Sequence, residues 1–349
     1  MKGLWITRWD YRTEQDVDRC LADAARLGVT DVFFQVRGQA DAFYRSDLEP
    51  WGHQLEGDPG YDPLARAIGQ AHRRNLRLHA WVNVYPLWKG TELPTSLDHA
   101  LRLHPSWRLH DQDGSPQPLN DHYVVANPTL PEVQDHIATV LVDICTRYAV
   151  DGLHLDYIRF VSDRLDEDKL WPGDSQSQVR WRSAGGEGDP MVEPGRSAYR
   201  AWIREEISNL VARLSRECRP VRPRLMMSAA VWRDPNLGRD GFLQDGARWL
   251  QEGWMDRVLP MIYTRDVDTF ITDLQAWKLV APADQIVPGL GVYKQEAGDL
   301  SPQLDQCTGT GGWSLFAYGS FFNTANPDQD RSPAAQQRRQ DLRTELSGD

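Results

Sequence analysis

DGLHLDYIRF, residues 151–160, reads as a short apolar strand that carries His154, Asp156 and Arg159 into its C-terminal end. Asp151 and Gly152 introduce it, and Leu153, Leu155 and Ile158 supply its apolar side chains. Asp156 falls where the strand gives way to a loop. In a parallel α/β architecture that edge is where catalytic residues gather.

Seven further apolar runs flank this one: GLWIT (3–7), DVFFQV (31–36), LRLHAWVNV (76–84), RLMMSAAVW (224–232), RVLPMIY (257–263), QIVPGLGVY (285–293) and GWSLFAY (312–318). Helical patterns separate them, at 14–27 with Thr13 as N-cap, 63–74, 131–148, 198–217 and 267–277. Strand and helix alternating to eight predicts a (β/α)8 TIM barrel spanning residues 1–325, with a polar helix or tail at 326–349. A doubly wound sheet is the rival, but no GxGxxG follows the first strand. Two insertions interrupt the alternation. Residues 86–127, after the third strand, are rich in Trp, His, Pro and Asp. Residues 161–195, after the fourth, are polar and Gly-rich. Long loops at these points are expected to wall a cleft, with surface decoration as the plainer reading.

Size and composition are those of a soluble globular chain, with 349 residues, 40% hydrophobic and 26% charged. The formal charge of −11 and the lack of any Lys/Arg run argue against nucleic acid and anionic membranes as partners. An uncharged or cationic ligand fits better. Fourteen Trp, eleven Tyr and nine Phe offer faces that can stack on sugar rings, although core and rim packing accounts for the larger share. Cys20, Cys145, Cys218 and Cys307 form no CxxC or Cys/His cluster, so neither a zinc site nor a redox pair is expected. MKGLWITRWDYR enters a strand without the apolar run of a signal peptide. The chain as written reads as cytoplasmic, or as extracytoplasmic if an export signal lies outside it.

A barrel brings its strand ends into one ring, which here collects Arg8 and Asp10, Gln35 and Arg37, Asn83 and Tyr85, and Asp156 and Arg159. Trp232 and Asp234, Tyr263 and Asp266, Tyr293 and Lys294, and Tyr318 complete it. The set contains no Cys nucleophile, HExxH or phosphate loop, and no cofactor or required metal is expected. Carboxylates among amides and aromatics suit glycoside hydrolysis, in which one carboxyl protonates the leaving oxygen and another attacks or activates water. Asp156 is the first candidate, expected to be held ionised by Arg159 with His154 nearby, and Asp266 is the second, ahead of Asp234 and Asp10. Gln35, Arg37, Asn83, Tyr85, His154, Arg159, Trp232, Tyr263 and Tyr293 are the candidate carbohydrate contacts. Each has a plain alternative: a helix cap or ion pair for the acids, a packed core role for His154, an inner polar layer for the amides.

QVRGQADAFYRSDLEPW (35–51), LHAWVNVY (78–85), DGLHLDYIRF, VLPMIYT (258–264) and GWSLFAYGSF (312–321) together resemble the bacterial glycosyl-hydrolase-like family 10, from Leu4 to about Phe321. LNDHYVVANPTLPEVQDHI and QDGARWLQEGWMD resemble its segments before the fourth and sixth strands. The resemblance implies a TIM barrel that hydrolyses O-glycosidic bonds, some relatives acting on cell-wall glycans stripped of stem peptides. It places the family's fourth-strand acid on Asp156, beside Tyr157 and Arg159, and its PMIY element on Pro260 to Tyr263. Analogy with related barrels, which often carry the second carboxyl on strand six, keeps Asp266 ahead of Asp234. A non-catalytic carbohydrate-binding barrel and a metal-assisted hydrolase are the other readings.

Overall fold

A computed structural model describes residues 1–161 and 165–347; residues 162–164 of the second insertion and the last two residues of the tail lie outside the described residues. Among the described residues ten strands follow one another: β1 (Lys2–Ile6), β2 (Asp31–Arg37), β3 (Arg77–Asn83), β4 (Pro86–Gly90), β5 (Asn120–Val125), β6 (Gly152–Asp156), β7 (Met226–Val231), β8 (Arg257–Ile262), β9 (Gly289–Gly291) and β10 (Trp313–Phe316). β4 and β5 pair antiparallel as a separate ribbon within the first insertion. The other eight are parallel and close into a barrel when β10 pairs with β1. Helices cross between the strands, so the chain is a (β/α)8 TIM barrel.

Period-two alternation sorts the strand side chains between two cores. Leu4, Ile6, Val32, Phe34, Leu153, Leu155, Met227 and Ala229 face the helices and are fully buried. Each Leu, Ile, Val, Phe or Met among them contributes roughly 1.5–3 kcal/mol by leaving water. Trp5, Phe33, Trp81, Leu259 and Val287 fill the lumen as a second cluster. Small residues make room for these large rings: a Cβ at Gly3 would lie 2.8 Å from the Phe33 ring and one at Gly289 2.9 Å from the Trp5 ring.

Helix ends are fixed locally. Thr13 and Asp16 form a reciprocal capping box at the start of helix Glu14–Arg26. Asp62 accepts from Ala65 N ahead of helix Pro63–His72, whose first residue is the proline suited to that position. Helices Pro131–Arg147 and Gly195–Val221 pack against each other outside β6 and β7. The last helix, Pro333–Ser347, buries Leu342, and its Arg338 donates to the carbonyls of Val292 and Gln295. All four cysteines are buried as free thiols. Among the described residues, no helix is long and apolar enough to cross a membrane.

Candidate active site

The fourth barrel strand, β6, ends at Asp156, and the chain turns sharply there because Tyr157 adopts φ 50°, a left-handed conformation uncommon for a residue with a side chain. That turn aims the Tyr157 N–H back at Asp156, whose Oδ1 accepts it at 2.7 Å. Arg159 Nη1 stands 3.8 Å from the same oxygen. Asp156 as a whole is 8% exposed. Burial pushes its pKa above the usual carboxylate range, against the opposing pull of Arg159, the Tyr157 N–H and the Trp81 indole. The sequence pointed to a carboxylate held ionised by Arg159. In the structure the Arg159 guanidinium stands outside hydrogen-bond distance, and burial moves the carboxyl pKa up rather than down.

Aromatic rings collar this carboxyl. Phe316 stacks on Tyr263 at 5.3 Å and meets Trp81 edge-on at 6.2 Å and Tyr293 at 6.1 Å. Tyr293 is 51% exposed and forms the outer rim. Burial, then the nearby Asp156, pushes the Tyr263 hydroxyl well above its ordinary pKa. Across the opening, Arg159 lies over the rings of Tyr157 at 4.4 Å and Trp232 at 5.6 Å. Tyr123, from the ribbon, meets Tyr157 edge-on and accepts from Arg8 Nη2 at 3.2 Å. Several further polar atoms here are buried with no hydrogen-bond partner among the described residues: Trp232 Nε1, Arg159 Nε and Nη1, and Asn83 Oδ1. Unpaired groups of this kind are costly, and a hydroxyl-rich ligand would satisfy them.

Other expected site residues stand apart from this cluster. A register shift between Gln35 and Arg37 in the β2–β3 ladder takes Arg37 out of the inward alternation and pairs it with Val82. Arg37 is buried, binds Glu49 through Nε and Nη2, and donates from Nη1 to the carbonyls of Asn83 and Val84. Gln35 stays on the inner side, where its Oε1 accepts from Arg8 N at 3.0 Å. Tyr85 lies beyond the end of β3, buried within the influence of Glu206 on the outer helix Gly195–Val221. Asp266 sits at the exposed start of helix Val267–Lys278 and accepts from Thr269 N at 2.7 Å. Hydrogen bonds from Thr269 hold its carboxyl below the usual range. Asp234 caps helix Pro235–Gly241 in the same way. Tyr318 turns outward and donates to Asp23 at 2.7 Å, so Phe316 is the inward residue of β10.

His154 makes no bond to Asp156. Its Nε2 accepts the Trp5 indole N–H at 3.1 Å, and its Nδ1 meets Ser228 Oγ at 2.9 Å. Because an indole only donates, the single ring proton is on Nδ1. Burial, reinforced by His79, holds the imidazole pKa far below its usual value. Asp10 presents the opposite case. Burial lifts its carboxyl to about 7, although Thr7 donates to Oδ2 from its N–H at 2.7 Å and its hydroxyl at 2.9 Å. It borders a cleft of about 630 Å³ that Tyr293 and Phe316 also line. Among the described residues, no group of three His, Cys, Asp or Glu side chains is placed to hold a metal ion.

A carboxyl at the mouth of the fourth strand, inside an aromatic collar, is an arrangement that sequence comparison can place among known proteins. Residues 1–294 match the family model described as glycosyl hydrolase-like 10. The chain belongs to that family. Among curated glycosyl hydrolases, YngK of Bacillus subtilis is 28% identical over 283 residues, covering 75% of this chain and 50% of YngK. DigH of Escherichia coli K12 is 29% identical over 307 residues, covering 75% of this chain and 65% of DigH. This glycosyl hydrolase-like 10 chain therefore spans about half to two thirds of these relatives' lengths. The glycoside hydrolase domain of PgaB (BpsB) from Bordetella bronchiseptica has the same fold, with TM-score 0.66 at 12% identity over 99% of this chain and 98% of that one.

Three contributors to the site, Trp81, Phe316 and Tyr123, were not singled out from sequence, and Phe316 was passed over for Tyr318 two residues on. Trp81 shares the period-two face of His79 and Asn83, so the alternation in LHAWVN carries the signal. Tyr123 gives none, because nothing in NDHYVV marks a ribbon that folds back over the barrel mouth.

Proposed function

We propose that this chain hydrolyses an O-glycosidic bond of a poly- or oligosaccharide, with Asp156 as a catalytic carboxyl. The supporting observation is the setting of Asp156: a carboxyl whose pKa burial raises, collared by Trp81, Phe316, Tyr263 and Tyr293 beside donors that lack partners. A raised pKa keeps the proton on the carboxyl nearer neutrality, which suits the donor to a leaving sugar oxygen. The aromatic faces match the C–H faces of a pyranose, and Arg159 and Asn83 are available to its hydroxyls.

For the second carboxyl, Asp10 is favoured over Asp266. Asp10 is buried and borders a cleft that Phe316 and Tyr293 also line. Asp266 is exposed and engaged as a cap. The family resemblance makes a bacterial cell-wall glycan stripped of its peptides the first substrate to try.

The test incubates the chain and its Asp156→Asn variant with denuded peptidoglycan strands, N-acetylglucosamine oligomers and α- and β-glucans, followed by mass spectrometry of released sugars. Release by wild type alone supports the proposal and identifies the substrate class. Binding without release by either protein overturns it in favour of a non-catalytic carbohydrate-binding barrel.

A further inference from the structure

A second cavity, of about 650 Å³, opens between the loop that follows β2 and the segment that follows β4. Trp51, His53, Trp88, Thr95 and Asp98 line it. Its wall is rigidly built. Ala42 N donates to Pro50 O and Gly52 N to Ala42 O, both at 2.8 Å, which fixes the backbone on either side of Trp51. Gly52 passes so close to Phe43 that an added Cβ would stand 2.3 Å from the ring. Trp88 is held edge-on between His53 at 5.6 Å and His99 at 5.3 Å, and its indole N–H donates to Glu92 O at 2.7 Å.

The lining has the chemistry of a sugar site. Trp51 is partly buried, lines the cavity and has no aromatic partner among the described residues. The ring nitrogens of His53, the hydroxyls of Thr95 and Ser96 and the carboxylate of Asp98 make no hydrogen bond among the described residues. Among the described residues no Lys or Arg lines the cavity, whereas Asp41, Glu56 and Asp98 do, so it lacks the fixed positive charge that a phosphate, a uronate or a lactyl ether would call for.

A short chain of hydrogen bonds links this wall to the mouth of the barrel. Asn83, the register partner of Asp156, donates to Gly38 O at 3.0 Å. Gly38 N donates to Asp41 Oδ1 at 3.1 Å, and His53 N donates to Asp41 Oδ2 at 3.2 Å. Asp41 itself lines the cavity.

We propose that this cavity is a distal saccharide subsite that takes a ring without an anionic substituent, stacked on Trp51. The proposal rests on the glycosidase reading and deepens it: the enzyme would grip its glycan at a point beyond the bond it cuts, and in an alternating chain it would select the ring that carries no carboxylate.

The experiment uses Asp156→Asn protein, so that turnover does not intervene. Calorimetry measures binding of two- and six-residue oligomers of N-acetylglucosamine and of glucose, and of a six-residue oligogalacturonate. The expected result is that adding Trp51→Ala weakens a six-residue neutral oligomer roughly tenfold and leaves the two-residue one unchanged. Asp98→Asn, at an exposed position, is expected to weaken the same oligomer without affecting the fold, and the uronate is expected to be insensitive to both changes. Six-residue binding that neither substitution weakens overturns the subsite and leaves the glycosidase reading standing, because the collar still binds. A parent protein that binds none of the neutral oligomers overturns both.

Discussion

Asn83 and Asp156 face each other as register partners on β3 and β6, at the point where both strands end. The Asn83 amide donates to the Gly38 carbonyl, an interaction only its NH2 can make, so the oxygen that remains without a partner is an acceptor. A buried carboxyl and an open acceptor therefore lie side by side on one rim.

Asp156→Asn keeps the shape of the side chain and its bond to the Tyr157 N–H but removes the transferable proton. Turnover on the active glycan is expected to fall roughly 10²- to 10⁴-fold, with the melting temperature unchanged or raised. Steady-state kinetics and calorimetry on the same preparation check both. An unchanged turnover would remove Asp156 from the mechanism.

Asp266→Asn separates a cap from a catalyst. Asn caps helices as well as Asp does, so a residue engaged only with Thr269 N should tolerate the exchange in both stability and turnover. Asp266→Ala is expected to cost about 0.5–2 kcal/mol in denaturant unfolding, again with turnover preserved. A hundredfold loss of turnover in the Asn variant would restore Asp266 as the second carboxyl.

Asp10 makes stability depend on pH with a definite sign. Its folded pKa, about 7, lies above the ordinary carboxylate value of 3.8, so the folded state holds the proton more tightly than the unfolded chain does. That contribution is complete below about pH 4 and is lost as pH rises through about 7, a change on the order of 4 kcal/mol. Asp10→Asn should therefore raise the melting temperature relative to wild type at pH 8 and not at pH 4. If Asp10 also serves as the second carboxyl, the same variant loses turnover at every pH.

Glu49 behaves in the opposite way. Burial alone would raise its pKa, but Arg37 and His136 outweigh burial and hold it at about 2. Its stabilisation is present above the unfolded value and disappears as pH falls toward 2. Glu49→Gln leaves Arg37 buried without its anion and is expected to cost about 3–5 kcal/mol at pH 7, measured by urea denaturation. A loss below 1 kcal/mol would show that the pair is dispensable.

The barrel was legible because alternation is a strong signal: inward Trp5, Phe33 and Trp81 and outward Leu4, Phe34 and Val82 can be sorted from the runs themselves. Asp156 was legible for the same reason, as a charge at the end of an apolar run. Arg37 was misplaced because one bulge flips everything beyond it, and a bulge has no signature in a single sequence. Tyr85 was carried inward by extending the strand beyond Asn83, where the chain instead leaves for the ribbon. The ribbon itself was hidden, since β4 and β5 pair only with each other across a stretch rich in Pro and His. Asp266 carried a readable cap pattern, Asp followed three residues later by Thr269, that competed with the catalytic reading and describes its geometry better.

The Trp5–His154–Ser228 contact makes the floor of the barrel a dead end for proton traffic. With its tautomer pinned by an indole that cannot accept, and its basicity suppressed by burial, His154 offers no relay from below. On the glycosidase reading, proton exchange with Asp156 is expected from the solvent side, where Tyr293 is exposed. A solvent isotope effect on turnover should accordingly be insensitive to His154→Gln and respond to changes at that rim.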